Sequence, residues 1–290
     1  MEQIIVNGVY LGAQYAIIAL GLTLIFALMN VLNFAHGQMY VLGGFMTYLV
    51  YGQFKLPFAL GLLASALTLL VVGALIEKFL FRPVIKKSSR EESTMLLAAG
   101  LAFFFDAVIL LLFGQKQRGV PKIMDGILNW EAAQVIIPND RILVGLCAVL
   151  MIVVFILFMQ YSKPGRAMRA LAQDRMAAQL MGVNTDRYGM LGFALGAMLA
   201  GVVGGLLVAI TGVSSGIGGA VSIKAFLMVM IGGAGVVPGA IAGGFILGMV
   251  ESVGLATLRS YGDITYLVIF ASLMVFLCIR PQGLMGKPWG

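Results

Sequence analysis

The sequence predicts an all-α membrane protein that crosses the bilayer about eight times. Of its 290 residues, 61% are hydrophobic and only 11% are charged, and the mean hydropathy of +1.02 is well above that of soluble domains. Apolar segments of the ~20 residues that cross a bilayer as a helix recur along the whole chain. Residues 1–290 are therefore predicted to form a single membrane domain with no soluble domain attached.

Eight apolar segments are candidate membrane spans. They are Ile4–Met29, Asn33–Tyr51, Leu56–Leu80, Thr94–Phe113, Ile142–Gln160, Met190–Thr211, Ile223–Val250 and Ile264–Ile279. The number of crossings is larger if residues 223–250 form a hairpin or a broken, re-entrant element.

The distribution of basic residues predicts the orientation in the membrane. The connection Arg82–Ser93 and the insert at 161–188 are both strongly basic, and an even number of spans separates them. Both can therefore face the cytoplasm, as the positive-inside rule requires, with the N-terminus and the 114–140 connection outside. Eight simple crossings would leave Arg280 and Lys287 of the C-terminal tail outside, whereas a hairpin at 223–250 would bring them inside.

The sixth predicted span, Met190–Thr211, contains a ridge of small residues. They recur at four-residue spacing along one side of the helix: Gly192, Gly196, Ala200 and Gly204. Such ridges let helix backbones approach closely within a bilayer, so this span is predicted to pack at the centre of a compact bundle. The pattern says nothing about a substrate.

The insert at 161–188 is the most charged part of the chain and is predicted to dock against a soluble protein. Lys163-Pro164-Gly165 is expected to end the fifth span, since Pro and Gly interrupt helices. An apolar stripe then predicts one short helix, which Gly182 would end, and Asn184 or Thr185 can cap the next helix. The stripe consists of Ala167, Ala170, Leu171, Ala178 and Met181. A helix resting on anionic lipid is the alternative, but this stripe lacks the large residues that such anchors use.

Two segments are candidates for a translocation path. Residues 231–244 contain Gly232, Gly233, Gly235, Pro238 and Gly239, which cannot sustain a regular helix. Broken helices at membrane depth line wet cavities or are buried in protein, so a tight helix crossing is the alternative interpretation. The second candidate is the polar start of the second span, which contains Asn33, His36 and Gln38. Asn33 can cap that helix, and a packing role for His36 is more common than contact with a substrate.

Neither an enzyme nor a metal protein is predicted. Asp106 is the only ionisable residue well inside a predicted span, and His36 is the only histidine, so paired catalytic residues and a metal-ligand cluster are both lacking. No phosphate-binding loop motif is present, so active transport would need an external motor. The net charge of +7 lies mostly in the connections and does not indicate nucleic-acid binding.

Three motifs resemble those of one family. NFAHGQMYVLGG after the first span, GRAMRALAQDRMAAQLMGVNTDR in the insert and KAFLMVMIGGAGVVPGAIAGGFILGMVE near the end look like the LivH/BraD-type permeases. These are bacterial inner-membrane subunits of branched-chain amino acid ABC importers. The resemblance covers nearly the whole chain and implies four kinds of partner: a second related permease subunit, two ABC ATPase subunits, a periplasmic or lipid-anchored substrate-binding protein, and the lipid bilayer. It also implies that ATP and Mg²⁺ bind to the ATPase subunits and that this chain needs no cofactor.

The same resemblance implies that the insert is the loop through which the ATPase acts. Ala177, Ala178 and Gly182 are similar to the AAxxxG core of that loop, although Met176 stands where the general permease pattern has an acidic residue. The candidate coupling residues are Gly165, Arg166, Arg169, Ala170, Asp174, Ala177, Ala178 and Gly182.

Two alternatives for the function remain open at this stage. Urea or short-chain amide permeases share the motif set, and a stand-alone secondary transporter is the less favoured possibility because it predicts more buried charge and no docking helix. We expect transport by alternating access through a path of backbone and small side chains. We do not expect a tight charged site, and no carboxylate–arginine pair suited to an amino acid zwitterion is visible in the spans.

Overall fold

The computed structural model describes residues 1–88, 91–130, 135–257 and 264–286, so Lys287 lies outside the described residues. The helices are α1 (Glu2–Met29), α2 (His36–Thr47), α3 (Phe58–Ile76), α4 (Arg82–Lys87), α5 (Glu91–Phe113), α6 (Asn139–Tyr161), α7 (Lys163–Gln173), α8 (Arg175–Leu180), α9 (Thr185–Thr211), α10 (Gly218–Gly232), α11 (Val237–Thr257) and α12 (Ile264–Ile279). In the 114–140 connection, β1 (Ile127–Trp130) pairs antiparallel with β2 (Val135–Pro138), with Ile127 opposite Pro138.

The prediction of an all-α polytopic membrane protein is confirmed. Among the described residues, seven helices are long and apolar enough to cross a bilayer, and Leu267–Ile279 is a shorter apolar helix. The predicted number of about eight spans is roughly consistent with this set. The small β1–β2 hairpin is a local departure in a connection between spans.

Helices α1 and α9 form the centre of the bundle. In the most apolar window of each, 83% of the α1 residues and 72% of the α9 residues are buried, against 17% for α5. Along α1, Gly12 contacts Phe245 of α11 and Leu28 contacts Gly192 at the start of α9, so α1 runs antiparallel to both helices. Because α3, α5 and α6 lie outside this core, their exposed apolar surfaces remain for lipid or another subunit.

The predicted second span, Asn33–Tyr51, is wrong at its start because the chain is not helical over residues 30–35. Asn30 adopts a left-handed conformation (φ 53°) that ends α1, and the Asn33 side-chain oxygen accepts a hydrogen bond from the Ala35 amide at 3.1 Å. The chain turns back into the bundle here, since His36 at the start of α2 reaches the Ile18 carbonyl of mid-α1 at 3.1 Å. Helix α2 therefore begins inside the protein and continues as π-helical turns over Tyr48–Gln53.

The predicted seventh span, Ile223–Val250, is two helices, as the hairpin alternative proposed. Gly233 and Gly235 have φ of +106° and +80°, which favours glycine, and they form the turn between α10 and α11. The turn lies beside Ala27 at the inner end of α1. After α12, the tail returns to the same turn, where the Leu284 amide donates to the Ile231 carbonyl at 2.8 Å. The described part of the tail, including Arg280, therefore lies at the end of the bundle predicted to be cytoplasmic.

Candidate functional site

The insert forms two short helices rather than the single one predicted. Helix α7 already begins at Lys163, because the Ser162 hydroxyl accepts the Gly165 amide at 2.9 Å and Pro164 is tolerated in a first helical turn. Pro164-Gly165 thus starts a helix instead of ending α6. Asp174 is extended and caps α8, accepting the Met176 and Ala177 amides at 2.8 and 2.9 Å. The expectations for Asn184 and Gly182 agree with this geometry, since Asn184 caps α9 through the Arg187 amide and Gly182 has φ +85°.

The predicted alanine-rich stripe does not lie on one face of the insert. Gly165, Met168 and Leu171 of α7 and Ala178 of α8 are buried against the bundle, whereas Ala170 and Ala177 are exposed. The most exposed apolar side chains of α8 and the residue after it are large ones: Met176 (75%), Leu180 (83%) and Met181 (86%). The expectation of a shallow surface made mainly of alanine is therefore wrong. Because the extended residue Asp174 interrupts the helix, the faces of α7 and α8 do not continue one another.

The insert is attached to the other basic connection by polar contacts. Lys86 of α4 forms a 2.5 Å ion pair with Asp186, and this hydrogen bond lowers the pKa of the Asp186 carboxyl. Asp186 lies in the first turn of α9, at the end of the bundle predicted to be cytoplasmic, and this 27-residue helix is longer than the ~20 residues needed to cross the hydrocarbon core. The Arg82 guanidinium bonds the buried Glu77 carboxylate at 2.6 Å and the Asp186 carbonyl at 3.0 Å. These contacts place the two basic connections on one side of the bundle.

A polar groove of about 520 Å³ follows α8 beside these ion pairs. Lys86, Arg175, Gln179, Gly182 and Asn184 are among its lining residues. A Cβ atom added at Gly182 would have no other atom within 4 Å, so this turn is open on its outer side. Two further coupling candidates, Arg166 and Arg169, are basic residues of α7. The Arg169 guanidinium donates to the Gln160 carbonyl at 3.2 Å, and Arg166 is exposed.

The polar start of α2 is closely packed in this conformation. Asn33 and His36 are fully buried, and the Gln38 amide donates to the Asp106 carboxylate at 3.2 Å. Gly218 at the start of α10 packs directly against Gln38. The first turns of α2 and α10 therefore contact each other inside the bundle.

The second set of translocation candidates lies at the end of the bundle predicted to be cytoplasmic and is also closely packed. The backbones of Gly232 and Gly239 meet in the α10–α11 hairpin, whose turn contains Gly233 and Gly235 and is followed by Pro238. Met285 of the tail donates its amide to the Gly232 carbonyl at 3.0 Å. The small-residue ridge of α9 lies in the core: Gly192 and Gly196 face α1, Ala200 is fully buried, and Gly204 meets the Tyr40 carbonyl of α2.

Two adjoining cavities open between α1 and its neighbours, and sequence analysis predicted neither. The outer cavity of about 370 Å³ is lined by Tyr10, Gln14, Arg141 and Ser252, among others. The deeper cavity of about 210 Å³ is lined by residues that include Gln14, Tyr15, Tyr40, Lys224 and Met228. Both share Leu11, Gln14, Leu207 and Thr211, so Gln14 lies where they meet.

Lys224 in the wall of the deeper cavity forms an ion pair with Glu251, whereas walls of backbone and small side chains without a tight charged site were expected. The Lys224 ammonium is 2.7 and 2.9 Å from the two oxygens of Glu251 and 2.8 Å from the Tyr15 hydroxyl, which donates to Glu251 at 2.6 Å. Lys224 and Glu251 stand at the two ends of the predicted span Ile223–Val250, where one continuous helix would hold them far apart. Opposite charges on either side of a glycine-rich break were the signal that could have predicted this pair, since a hairpin brings them together.

The titratable side chains do not form a metal site in the part of the chain that the structure covers. No group of three or more His, Cys, Asp or Glu residues there could hold a metal ion.

Comparisons with known proteins identify the family. The family model "Branched-chain amino acid transport system / permease component" matches residues 4–277. The chain is 32% identical to the high-affinity branched-chain amino acid transport system permease protein LivH of Escherichia coli, over 97% of this chain and 94% of that protein. It is also 32% identical to the permease protein BraD of Pseudomonas aeruginosa, over 99% and 96% of the two chains. Among solved structures, PsaBC from Streptococcus pneumoniae in complex with Fab covers 94% of this chain and 89% of its own, with a TM-score of 0.49 and 14% identity. The chain belongs to the branched-chain amino acid permease family and is a multi-pass inner-membrane permease subunit of an ABC importer, not an enzyme.

Proposed function

We propose that this chain forms, with a second related permease subunit, the translocation path of an importer for branched-chain and other hydrophobic amino acids. The names of its relatives support this substrate class. The cavities beside α1 support it independently, because their walls are mainly apolar surface, to which aliphatic side chains such as Leu11 and Leu207 contribute. A urea or amide path would not need walls of this kind.

The partners follow from the family and from one observation on the insert. Two ATPase subunits bind ATP and Mg²⁺, and a periplasmic or lipid-anchored protein delivers the substrate. The observation that carries the proposal is that Met176, Leu180 and Met181 are exposed on the cytoplasmic side. Large apolar side chains clustered on a surface that faces water indicate a protein interaction site. The exposed apolar faces of α3, α5 and α6 supply the surface for lipid and for the second permease.

Transport proceeds by alternating access. ATP-driven closure of the ATPase subunits moves α7 and α8, and the Asn184 cap and the Lys86–Asp186 pair transfer this movement to α9 and α4. The small-residue ridge of α9 then shifts against α1 and α2. The chain breaks at residues 30–35 and 233–236 both adjoin the C-terminal end of α1 and absorb the change.

Replacing exposed Leu180 with Arg tests the docking surface. Leu180→Arg should abolish co-purification of the ATPase subunits and ATP-dependent leucine uptake, with unchanged membrane insertion. Gln173→Arg is the matched control, because Gln173 is also exposed at the end of α7 but is not one of the three large apolar residues. An unchanged complex with Leu180→Arg would exclude this docking surface.

The substrate class is tested with the complete importer in proteoliposomes. Uptake of leucine, isoleucine and valine should depend on ATP and on the binding protein. Uptake of urea in place of these amino acids would refute the proposed substrate.

A further inference from the structure

Among the residues that the structure describes, the Gln14 side chain is buried without a hydrogen bond of good geometry. It is 1% exposed, and within the described part of the chain neither its amide nitrogen nor its amide oxygen meets a partner at hydrogen-bond geometry, the neighbouring polar group being the Tyr10 hydroxyl. Buried amides in proteins are almost always paired, so an unpaired one indicates a missing polar molecule or a functional role. Gln14 lines both cavities, so it lies at the point where they adjoin.

Gln14 lies near the middle of the membrane. Helix α1 has 28 residues, and Gln14 is roughly 20 Å from either end of it at 1.5 Å per residue. Membrane transporters commonly hold their substrates near this depth. The position therefore suits a site that is occupied in transit.

The neighbouring groups add polar atoms and apolar walls. The buried Tyr10 hydroxyl, one helical turn toward the outside, also meets no partner at hydrogen-bond geometry among the described residues. Leu11, Ile18 and Leu207 line the deeper cavity. Its volume of about 210 Å³ is below the ~300–1,000 Å³ of pockets for drug-sized ligands and suits a single small molecule.

The charged side chains at the deeper cavity are the two members of an ion pair. The Lys224 side chain is 21% exposed and lines the deeper cavity, whereas its partner Glu251 is 7% exposed. The pair is neutral as a whole, so a ligand with a net charge would be left uncompensated. A zwitterion, which also has no net charge, would not.

We propose that Gln14, with Tyr10 and the Lys224–Glu251 pair, binds the zwitterionic head group of one aliphatic amino acid at the junction of the two cavities. The Gln14 amide nitrogen donates to the carboxylate and its oxygen accepts from the ammonium group, while Lys224 attracts the carboxylate electrostatically. The aliphatic side chain lies against Leu11, Ile18 and Leu207. This inference rests on the proposed function, and it assigns the recognition of the head group to residues of the permease itself. A neutral amide binds weakly enough for the substrate to leave again.

Gln14→Leu tests this site in the complete importer, because leucine keeps a similar size and removes both polar atoms. Leucine uptake should fall at least about tenfold, the effect of losing one buried hydrogen bond, with ATPase stimulation by the binding protein retained. Thr23→Val is the matched control: Thr23 is on the same helix, fully buried and also without a partner among the described residues, but it lines neither cavity. Thr23→Val should leave uptake close to that of the wild type. Equal uptake by the two variants would overturn the proposal.

A second measurement tests the head group directly. The permease–ATPase assembly without binding protein is heated with leucine, with 4-methylpentanoate, which lacks the ammonium group, or with 3-methylbutylamine, which lacks the carboxylate. Only leucine should raise the melting temperature, and Gln14→Leu should remove this shift. An equal shift with all three compounds, or an unchanged leucine shift in Gln14→Leu, would mean that the head group is not recognised here.

The two proposals fail in different ways. A wild-type importer that takes up urea but not leucine refutes the proposed function. A wild-type importer that takes up leucine, with Gln14→Leu behaving like Thr23→Val, refutes only the site at Gln14.

Discussion

The cavity junction and the insert break the usual pattern of burial in opposite ways, since the junction buries polar groups and the insert exposes large apolar side chains. At the junction, Gln14 and the Tyr10 hydroxyl are buried without partners at hydrogen-bond geometry among the described residues. On the insert, Met176, Leu180 and Met181 are exposed. Both arrangements destabilise the isolated chain. A polar ligand inside the bundle would supply hydrogen bonds to the first, and an apolar surface on a partner protein would cover the second. Such local conflicts with the folding rules are expected at functional sites.

The largest effect on stability is expected where the interior charge balance is broken. Lys224→Met leaves Glu251 buried without its cation, and breaking a buried pair typically costs about 3–5 kcal/mol. The melting temperature of the purified protein should fall sharply. Thermal unfolding followed by circular dichroism measures this change.

The double variant Lys224→Met/Glu251→Met separates charge from packing. It removes both charges, so it should regain most of the stability that Lys224→Met loses. A double variant as unstable as the single one would show that the Lys224 side chain matters through its packing alone.

Disrupting the close packing of the α9 ridge should have the next largest effect on stability. Gly204 touches the Tyr40 carbonyl, so Gly204→Ala forces α2 and α9 apart and should destabilise by about 1–3 kcal/mol. Gly189→Ala on the same helix is the control, because no atom lies within 4 Å of the added Cβ. There the gain in helix propensity alone should stabilise by about 0.5–1 kcal/mol. Melting temperatures shifted in the same direction by both variants would contradict a tight α2–α9 contact.

Sequence patterns predicted those parts of the molecule that depend on local chemistry. Hydropathy identified the long helices, and spacing placed Gly192, Gly196, Ala200 and Gly204 on one ridge. Capping chemistry gave Asn184 or Thr185 as the cap of α9, of which the structure has Asn184, and placed Gly182 in the turn after α8. Each of these features is decided by residues within a few positions of one another.

The features that the sequence did not predict arise from contacts between distant segments. Gln14 and Lys224 are 210 positions apart in the chain (224 − 14), and only the packing of α1 beside α10 brings them to one cavity. Similarly, the re-entrant start of α2 follows from the single left-handed residue Asn30. Hydropathy does not show at which residue of an apolar stretch a helix begins, so it predicts a start at Asn33 and not at His36.

A third prediction concerns the insert, where a substitution should impair transport more than stability. Gly182→Trp places a bulky side chain at an open, left-handed turn of the insert. The conformational strain should cost about 1–2 kcal/mol and leave membrane insertion intact, while uptake is uncoupled from ATP hydrolysis. Uptake and ATPase activity are measured in the same proteoliposomes.

Gly114→Trp provides the matched control for that strain. Gly114 also has a positive φ (+74°) and no atom within 4 Å of an added Cβ, but it follows α5 at the opposite end of the bundle. It should retain coupled uptake at a similar stability. Normal uptake by a stably expressed Gly182→Trp variant would count against the docking role of the insert.

The smallest effect is expected at the exposed ion pair. Lys86 and Asp186 are 60% and 35% exposed, and surface pairs contribute only about 0–1 kcal/mol, so Lys86→Gln should lower the melting temperature slightly. The Lys86 hydrogen bond lowers the pKa of Asp186 in the folded protein, so the stabilisation is present above the unfolded pKa of ~3.9 and is lost as the pH falls through the folded value. The difference between wild type and Lys86→Gln should therefore be seen at neutral pH and shrink on acidification below pH 4. A loss as large as that of Lys224→Met would mean that the insert is held as tightly as the interior, and an insert held so tightly could not move with the ATPase subunits.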